Sequence, residues 1–349
     1  MKPIFLPHPE TDWSEVSRHA ELIYLEPHMD KLDWREVSRN PNAVPLLEQH
    51  MNKINWVWIH SNPNISPFLK KHWVHAPEKV NWKILTRNPH AIPFLKDHLD
   101  KADWHCLCEM PDAISLIEQH PDKIDWEALS SNPAAMDLLT QNQDKIHWHR
   151  LCWNPNPGAI TLLETRMETE QIYWYWHALS ANENALPLLE KYPDKIVWEY
   201  ASRNPALLPL FEKYLDNVIW YYLCMYIKDT SFLEQHLDKV SDGCWSQLSE
   251  RPVAVPLLEK YPEHIDWKRL CCNPGAIHLL EQYPEKIDWV QLSSNPNATH
   301  LLFRLDHVRM RQDNEAFKEE LMAYVFDPCR LIRLSTHFGN DFRNYLRLY

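Results

Sequence analysis

The sequence predicts an all-α fold, an α-solenoid of about thirteen short repeats, each pairing an α-helix with a second short α- or 3₁₀-helix. Three observations carry this. Tryptophan recurs at Trp13, Trp34, Trp56, Trp82, Trp104, Trp126, Trp148, Trp176, Trp198, Trp220, Trp245, Trp267 and Trp289, a basic step of 22 residues. Such a period marks units that bury their apolar face only against their neighbours. An Asn-Pro pair follows most of these tryptophans by six residues, as at Asn40-Pro41 and Asn132-Pro133. Glycine is almost missing, with 4 residues in 349, whereas proteins average about 7 per cent. The hairpin turns of a β protein and the paired glycines of a G-x-G-x-x-G loop, a P-loop or a G-x-S-x-G elbow are therefore excluded.

Each unit reads in order. The Asp or Asn before the tryptophan is an N-cap, and Trp with the apolar residue three positions later (Val16, Val37, Leu85, Leu129, Leu292) shares one helical face. Asn-Pro ends this helix, because the residue before proline avoids α geometry, and it also starts the next element. In several units a further proline stands five residues after the Asn, as at Pro45, Pro93 and Pro209. There the spacing predicts a 3₁₀ turn first and the α-helix from the second proline. Extra residues between Trp56 and Trp82, Trp148 and Trp176, and Trp220 and Trp245 are expected to bulge from the stack. The array should span residues 1–302 as a rod or arc on the order of 100 Å, with residues 303–349 as a helical C-terminal cap.

The phrases Leu129-Ser130-Ser131-Asn132-Pro133 and Asp122-Lys123-Ile124-Asp125-Trp126 resemble uncharacterised helical repeat proteins of giant DNA viruses, over roughly residues 10–302. The Asn-Pro-x-x-x-Pro-x-Leu-Glu pattern is also similar to the leucine-rich repeat variant, in which an α-helix pairs with a 3₁₀-helix. The first resemblance implies expression in an infected cell, in the host cytoplasm or the virion. It implies no catalytic residue.

Charge and short motifs restrict function further. The net charge is -12, with -13 on residues 1–303 and +1 on residues 304–349, so a nucleic-acid partner is not expected. The longest apolar stretch, residues 218–227, is about half a membrane span, and residues 1–13 hold no signal-peptide core; a soluble intracellular protein without membrane insertion is expected. Four positions after each tryptophan stands a column that alternates Ser with Cys (Ser17, Ser38, Cys108, Ser130, Cys152, Cys224, Cys271), read as a demand for a small side chain. Cys106 with Cys108, Cys271 with Cys272, and His147 with His149 lack the converging partners that a metal needs. Cys329 and His337 in the tail lie about two helical turns apart, too far for a catalytic pair. No metal, cofactor or catalytic residue is predicted.

Residues that break their column are better candidates, since a structural group recurs in every unit and a functional one need not. Trp58, Tyr200, Tyr221 and Tyr222 follow the register tryptophan directly, Trp153 and Met225 lie beyond the first helix, and Tyr173, Trp174 and Tyr175 occupy the longest insertion. Tyr and Trp dominate protein-interface hot spots, so these nine residues are the candidate protein-binding set. The expected function is a non-catalytic protein-binding scaffold or adaptor; the alternatives are a structural component of a virus particle and, third, an enzyme with its site in the tail.

Overall fold

The computed structural model describes residues 5–75, 77–167 and 176–305. It is a helical repeat array whose units share one plan, clearest between Asp33 and Asn55. Asp33 caps the first helix, Trp34–Arg39, by accepting from the Arg35 amide at 2.9 Å. Asn40 closes that helix and accepts from the Asn42 amide, which starts the 3₁₀ turn Pro41–Ala43. The second helix, Val44–Gln49, carries Pro45 in its first turn, where a missing N–H costs nothing. A second 3₁₀ turn, Met51–Lys53, leads to the next cap. The predicted order of 3₁₀ turn and helix is thus observed, with the helix starting a residue or two before the second proline. Units without that proline, such as Pro133–Ala135 followed by Met136–Gln141, do the same.

Apolar residues of both helices meet in one continuous core running along the array: Val16, Val37, Leu85, Leu107 and Leu129 from first helices, Leu47, Leu69, Leu95 and Ile117 from second helices. The register tryptophans flank this core half-buried, except Trp245, which is buried. Nine of them pack on a His or Tyr at the end of their own second helix, as in Trp104–His120 at 5.4 Å and Trp267–Tyr283 at 5.1 Å. Several also lie under a lysine of the following turn, such as Lys145 over Trp126 at 4.7 Å.

Two hydrogen-bonded ladders stitch the units together. The Ser/Cys column is one of them. Ser38 Oγ donates to the Trp34 carbonyl one turn back and accepts the Asn55 amide of the next unit at 2.9 Å. Ser130, Ser180, Ser202 and Ser249 accept in the same way, and Cys108 and Cys271 accept through sulfur. The column therefore selects a hydrogen-bond acceptor and not merely a small residue, which is why His60 fits: its Nε2 accepts from the Asn81 amide at 3.0 Å. The second ladder is the buried Asn of Asn-Pro. Asn62 Nδ2 donates to the carbonyls of Ser38 and Asn40, Asn154 to those of Ser130 and Asn132, and Asn295 to those of Cys271 and Asn273. At Met110 the ladder has a gap, and at Arg251 a guanidinium takes over, donating to the Met225 and Ile227 carbonyls.

Both ladders continue across the chain ends, so the array is a closed ring and not a rod or an arc. The Asp12 amide donates to Ser293 Oγ at 2.9 Å, the bond that most cap residues make to the unit before them. His19, standing where other units carry the ladder Asn, donates from Nε2 to the Ser293 carbonyl at 2.8 Å. Strand β1 (Phe5–Pro7) pairs antiparallel with strand β2 (Phe303–Leu305), Leu6 opposite Arg304, and forms a clasp. Phe303 is 4% exposed and packs on Trp13, Tyr24 and His28. Residues 303–305 are thus a strand holding the first unit, not the start of a helical cap; residues 306–349 lie outside the described residues.

Ring closure also orders the layers. First helices of successive units are the most closely packed pairs, whereas second helices stand farther apart and add ion pairs such as Lys71–Glu48 at 3.0 Å and Lys260–Glu234 at 2.7 Å. The closer-spaced layer of a ring must be the inner one. Thirteen helices about 8–10 Å apart give a mid-line roughly 33–41 Å across, and an opening of about 20–30 Å inside it.

The insertions after Trp56 and Trp220 are absorbed as extra helical turns, contrary to the expected bulges, while most of the one after Trp148, residues 168–175, lies outside the described residues. After Trp56 they lengthen the second helix to Ile65–His72 and add the turn Trp73–His75; after Trp148 the second helix is Pro157–Met167; after Trp220 they start the next first helix early, at Asp242–Ser249. An extra turn satisfies its own backbone groups, which an irregular bulge does not. Among the described residues no helix is long and apolar enough to cross a membrane.

Candidate functional site

In each first helix the residues three and four positions after tryptophan are core and ladder. Positions one, two and five therefore turn toward the ring opening; one and five are exposed or half-buried, whereas position two runs from half-buried to buried, as at Glu36, Cys106, Ala128 and Ala178. Their composition differs from the rest of the chain. They hold nine basic residues (Arg18, Arg35, Arg39, Lys83, Arg87, Arg150, Arg203, Lys268, Arg269) against six acidic ones (Glu15, Glu36, Glu109, Glu127, Glu199, Glu250) on a protein of net charge -12. Only Arg166 and Arg251 among the arginines before Phe303 lie elsewhere. Lysine dominates outside. Guanidinium groups pair with carboxylates across units, as in Arg18–Glu36 at 2.9 Å and Arg269–Glu250 at 3.0 Å, and they stack on rings.

Edge-on and tilted ring contacts, with one guanidinium, join four of the nine predicted residues into one arc. The ring of Trp153 lies 5.7 Å from His177, His177 lies 5.6 Å from Tyr200, and Arg203 stands over both Tyr200 at 5.8 Å and Tyr222 at 4.2 Å. Tyr222 meets Tyr221 at 5.9 Å, and Gln247 Nε2 donates to the Tyr221 hydroxyl at 3.0 Å. His149 extends the arc at its other end, 6.4 Å from His177. Trp153 is 42% exposed and Tyr221 41%, so the arc presents open ring faces held in place from the side. An aromatic fixed in this way loses little rotamer freedom on binding.

The remaining candidates fall elsewhere. Trp58 sits several units away, its ring occupied by the guanidinium groups of Arg35 at 4.6 Å and Arg39 at 4.8 Å. Met225 is half-buried, and its carbonyl accepts from Arg251. Tyr173, Trp174 and Tyr175 lie outside the described residues. His149, His177 and Arg203 were missing from the sequence-derived set. They occupy positions one and five after tryptophan, and reading those columns together would have found them.

The cysteines, except Cys329 outside the described residues, are free and mostly buried; burial pushes the Cys152 thiol up to about 12 and the Cys271 thiol up to about 11. Among the described residues no three His, Cys, Asp or Glu side chains converge as a metal would need, and His147 and His149 have ring centres 6.4 Å apart. Cys329 and His337 lie outside the described residues. No family model matches the chain, and comparison with curated proteins and with solved structures finds no similar one, so a functional reading rests on this geometry alone.

Proposed function

We propose that the ring is a non-catalytic protein-binding scaffold that takes a partner on the aromatic arc of its inner wall. The observation that carries the reading is the arc itself: four column-breaking residues from separate parts of the sequence, Trp153, Tyr200, Tyr221 and Tyr222, are joined through His177 and Arg203 by edge-on ring and cation–π contacts while two of them stay more than two-fifths exposed. Core aromatics bury their faces, and the register tryptophans come close to doing so. An arc with open faces gains by covering them with another chain, and a closed ring supplies the rigidity that keeps the cost of binding low.

The test compares two variants. Tyr221→Ala with Tyr222→Ala should abolish capture of the partner recovered by the wild-type protein, a loss of about 2 kcal/mol or more, while shifting stability by less than about 1 kcal/mol. Trp126→Ala should lower stability by about 3 kcal/mol and leave the arc intact. Equal stability losses in the two variants, or unchanged capture by the tyrosine variant, would assign the arc to packing.

A further inference from the structure

The junction between the units of Trp220 and Trp245 is built differently from the others. At the other described junctions the column side chain accepts the amide of the next cap residue, mostly 17 positions later, as Ser202 accepts from Ile219 at 2.9 Å. Here the three extra residues extend the next helix backwards, so Cys244, which would have been the cap, lies inside Asp242–Ser249 and its amide is spent on the Ser241 carbonyl at 2.9 Å. The column residue Cys224 is left facing a side chain in place of an amide, and that side chain is Cys244. The two buried cysteines stand on neighbouring helices, Trp220–Tyr226 and Asp242–Ser249, that pack directly on each other, their thiols interact, and Cys244 Sγ accepts from Ser241 Oγ at 3.3 Å.

The other described cysteines have different partners. Cys108 and Cys271 accept backbone amides, Cys106 accepts from Arg87, and Cys272, although adjacent to Cys271, bonds to Gln291 and Ser294. Both residues of the Cys224–Cys244 pair are buried, at 0% and 1% exposure, which shields them from large reagents but not from a molecule the size of a peroxide during local opening.

We propose that Cys224 and Cys244 form a redox-active dithiol that a peroxide converts to a disulfide, covalently joining neighbouring units beside the Tyr221–Tyr222 pair. The protonation pattern suits the two roles: the interaction with Cys224, together with the bond from Ser241, pulls the Cys244 thiol down against the effect of burial, while that same interaction and burial push the Cys224 thiol up. Cys244 is the attacking sulfur. Its thiolate takes one oxygen from the peroxide, giving a sulfenic acid and one water. The sulfur of Cys224 then attacks the Cys244 sulfur; the S–O bond breaks, the hydroxide leaves with the Cys224 proton as a second water, and two thiols plus one peroxide become one disulfide and two waters.

The link would reach the aromatic arc, because Cys224 shares the helix Trp220–Tyr226 with both tyrosines and Cys244 shares its helix with Gln247, the donor to the Tyr221 hydroxyl. The chemistry itself is independent of what the arc binds.

The test treats the full chain with increasing hydrogen peroxide, alkylates remaining thiols and identifies linked peptides by mass spectrometry without reduction. The Cys224–Cys244 peptide, lighter by two hydrogens and restored by dithiothreitol, should exceed any other linked pair by about tenfold, following thiolate character. Cys224→Ser places in the column the residue that seven other units already use there, so it should fold; it should abolish the link and leave Cys244 as a sulfenic acid that dimedone traps. Cys244→Ala should abolish the link and leave Cys224 unmodified, which keeps the test decisive if the first variant unfolds. The proposal is overturned if the half-buried Cys272 oxidises at peroxide levels that leave the pair reduced, or if Cys244 in Cys224→Ser takes no dimedone.

Discussion

Replacing Asn62 by alanine should destabilise the ring several times more than replacing Asn64, two residues on in the same turn. Asn62 is fully buried; its Nδ2 donates to the Ser38 and Asn40 carbonyls, both at 3.0 Å, and its Oδ1 accepts the Asn64 amide at 2.8 Å. Alanine removes three hydrogen bonds and leaves the Ser38 carbonyl and the Asn64 N–H without a partner, while the Asn40 carbonyl keeps the Ala43 amide at 3.1 Å. Each bond contributes about 1 kcal/mol net, and each group left unpaired in the interior costs about 1–3 kcal/mol, so a loss of roughly 3–6 kcal/mol is expected. That is a large part of a typical folding free energy of about 5–15 kcal/mol. Asn64 makes a bond of similar length, 2.9 Å from Nδ2 to the Pro41 carbonyl, but on the exposed edge, where solvent can substitute; its removal should cost less than about 1 kcal/mol. Urea unfolding of both variants followed by circular dichroism reads the difference as a midpoint shift. In a ring every unit has two neighbours and no terminal unit can fray first, so the slope should stay unchanged and the transition single. Midpoints of the two variants within error of each other would refute the assignment of the Asn ladder as the main tie between units.

Three further outcomes follow from the same geometry. Met110→Asn fills the gap in the ladder and should raise stability by about 1 kcal/mol in the same urea assay; no gain would mean that the neighbouring carbonyls are already satisfied. Phe303→Ala removes the aromatic anchor of the clasp and should raise the radius of gyration in X-ray scattering as the ring springs open, whereas unchanged scattering would place the closing energy in the Ser293 bonds alone. Burial lowers the His19 and His60 pKa values below the ordinary 6.5, so the unfolded chain binds more protons than the folded one; the stability these residues hold above about pH 6.5 is lost as pH falls through and below that value. His60→Ser should therefore flatten the change in melting temperature between pH 7.5 and pH 5.5, and an unaltered slope would show that His60 takes no part.

Much of a single unit was legible from residues alone. The caps Asp33 and Asn62, the 3₁₀ turn at Asn-Pro and the helix from the following residues rest on local rules of dihedral preference and hydrogen bonding that act within a few positions. The thirteenfold tryptophan register exposed the repeat for the same reason. The column four residues after tryptophan was seen but read as a matter of size, because its hydrogen bonds reach 17 residues ahead into the next unit, where no local rule looks. The aromatic candidates were found by their departure from the pattern, and four proved to be joined; their connectors, His177 and Arg203, were missed, since ordinary polar types on the inward face carry no signal until neighbouring helices bring them within contact distance.

Closure was beyond any local reading. A turn of about 28° per unit makes thirteen units meet, and a few degrees more or less would yield an open superhelix from the same motifs. That angle arises from the difference in spacing between the inner and outer helices, summed over the whole array. His19 and the strand Phe5–Pro7 look like irregular ends in the sequence; only with Ser293 and Phe303 beside them do they become the replacement for a ladder Asn and one half of a clasp.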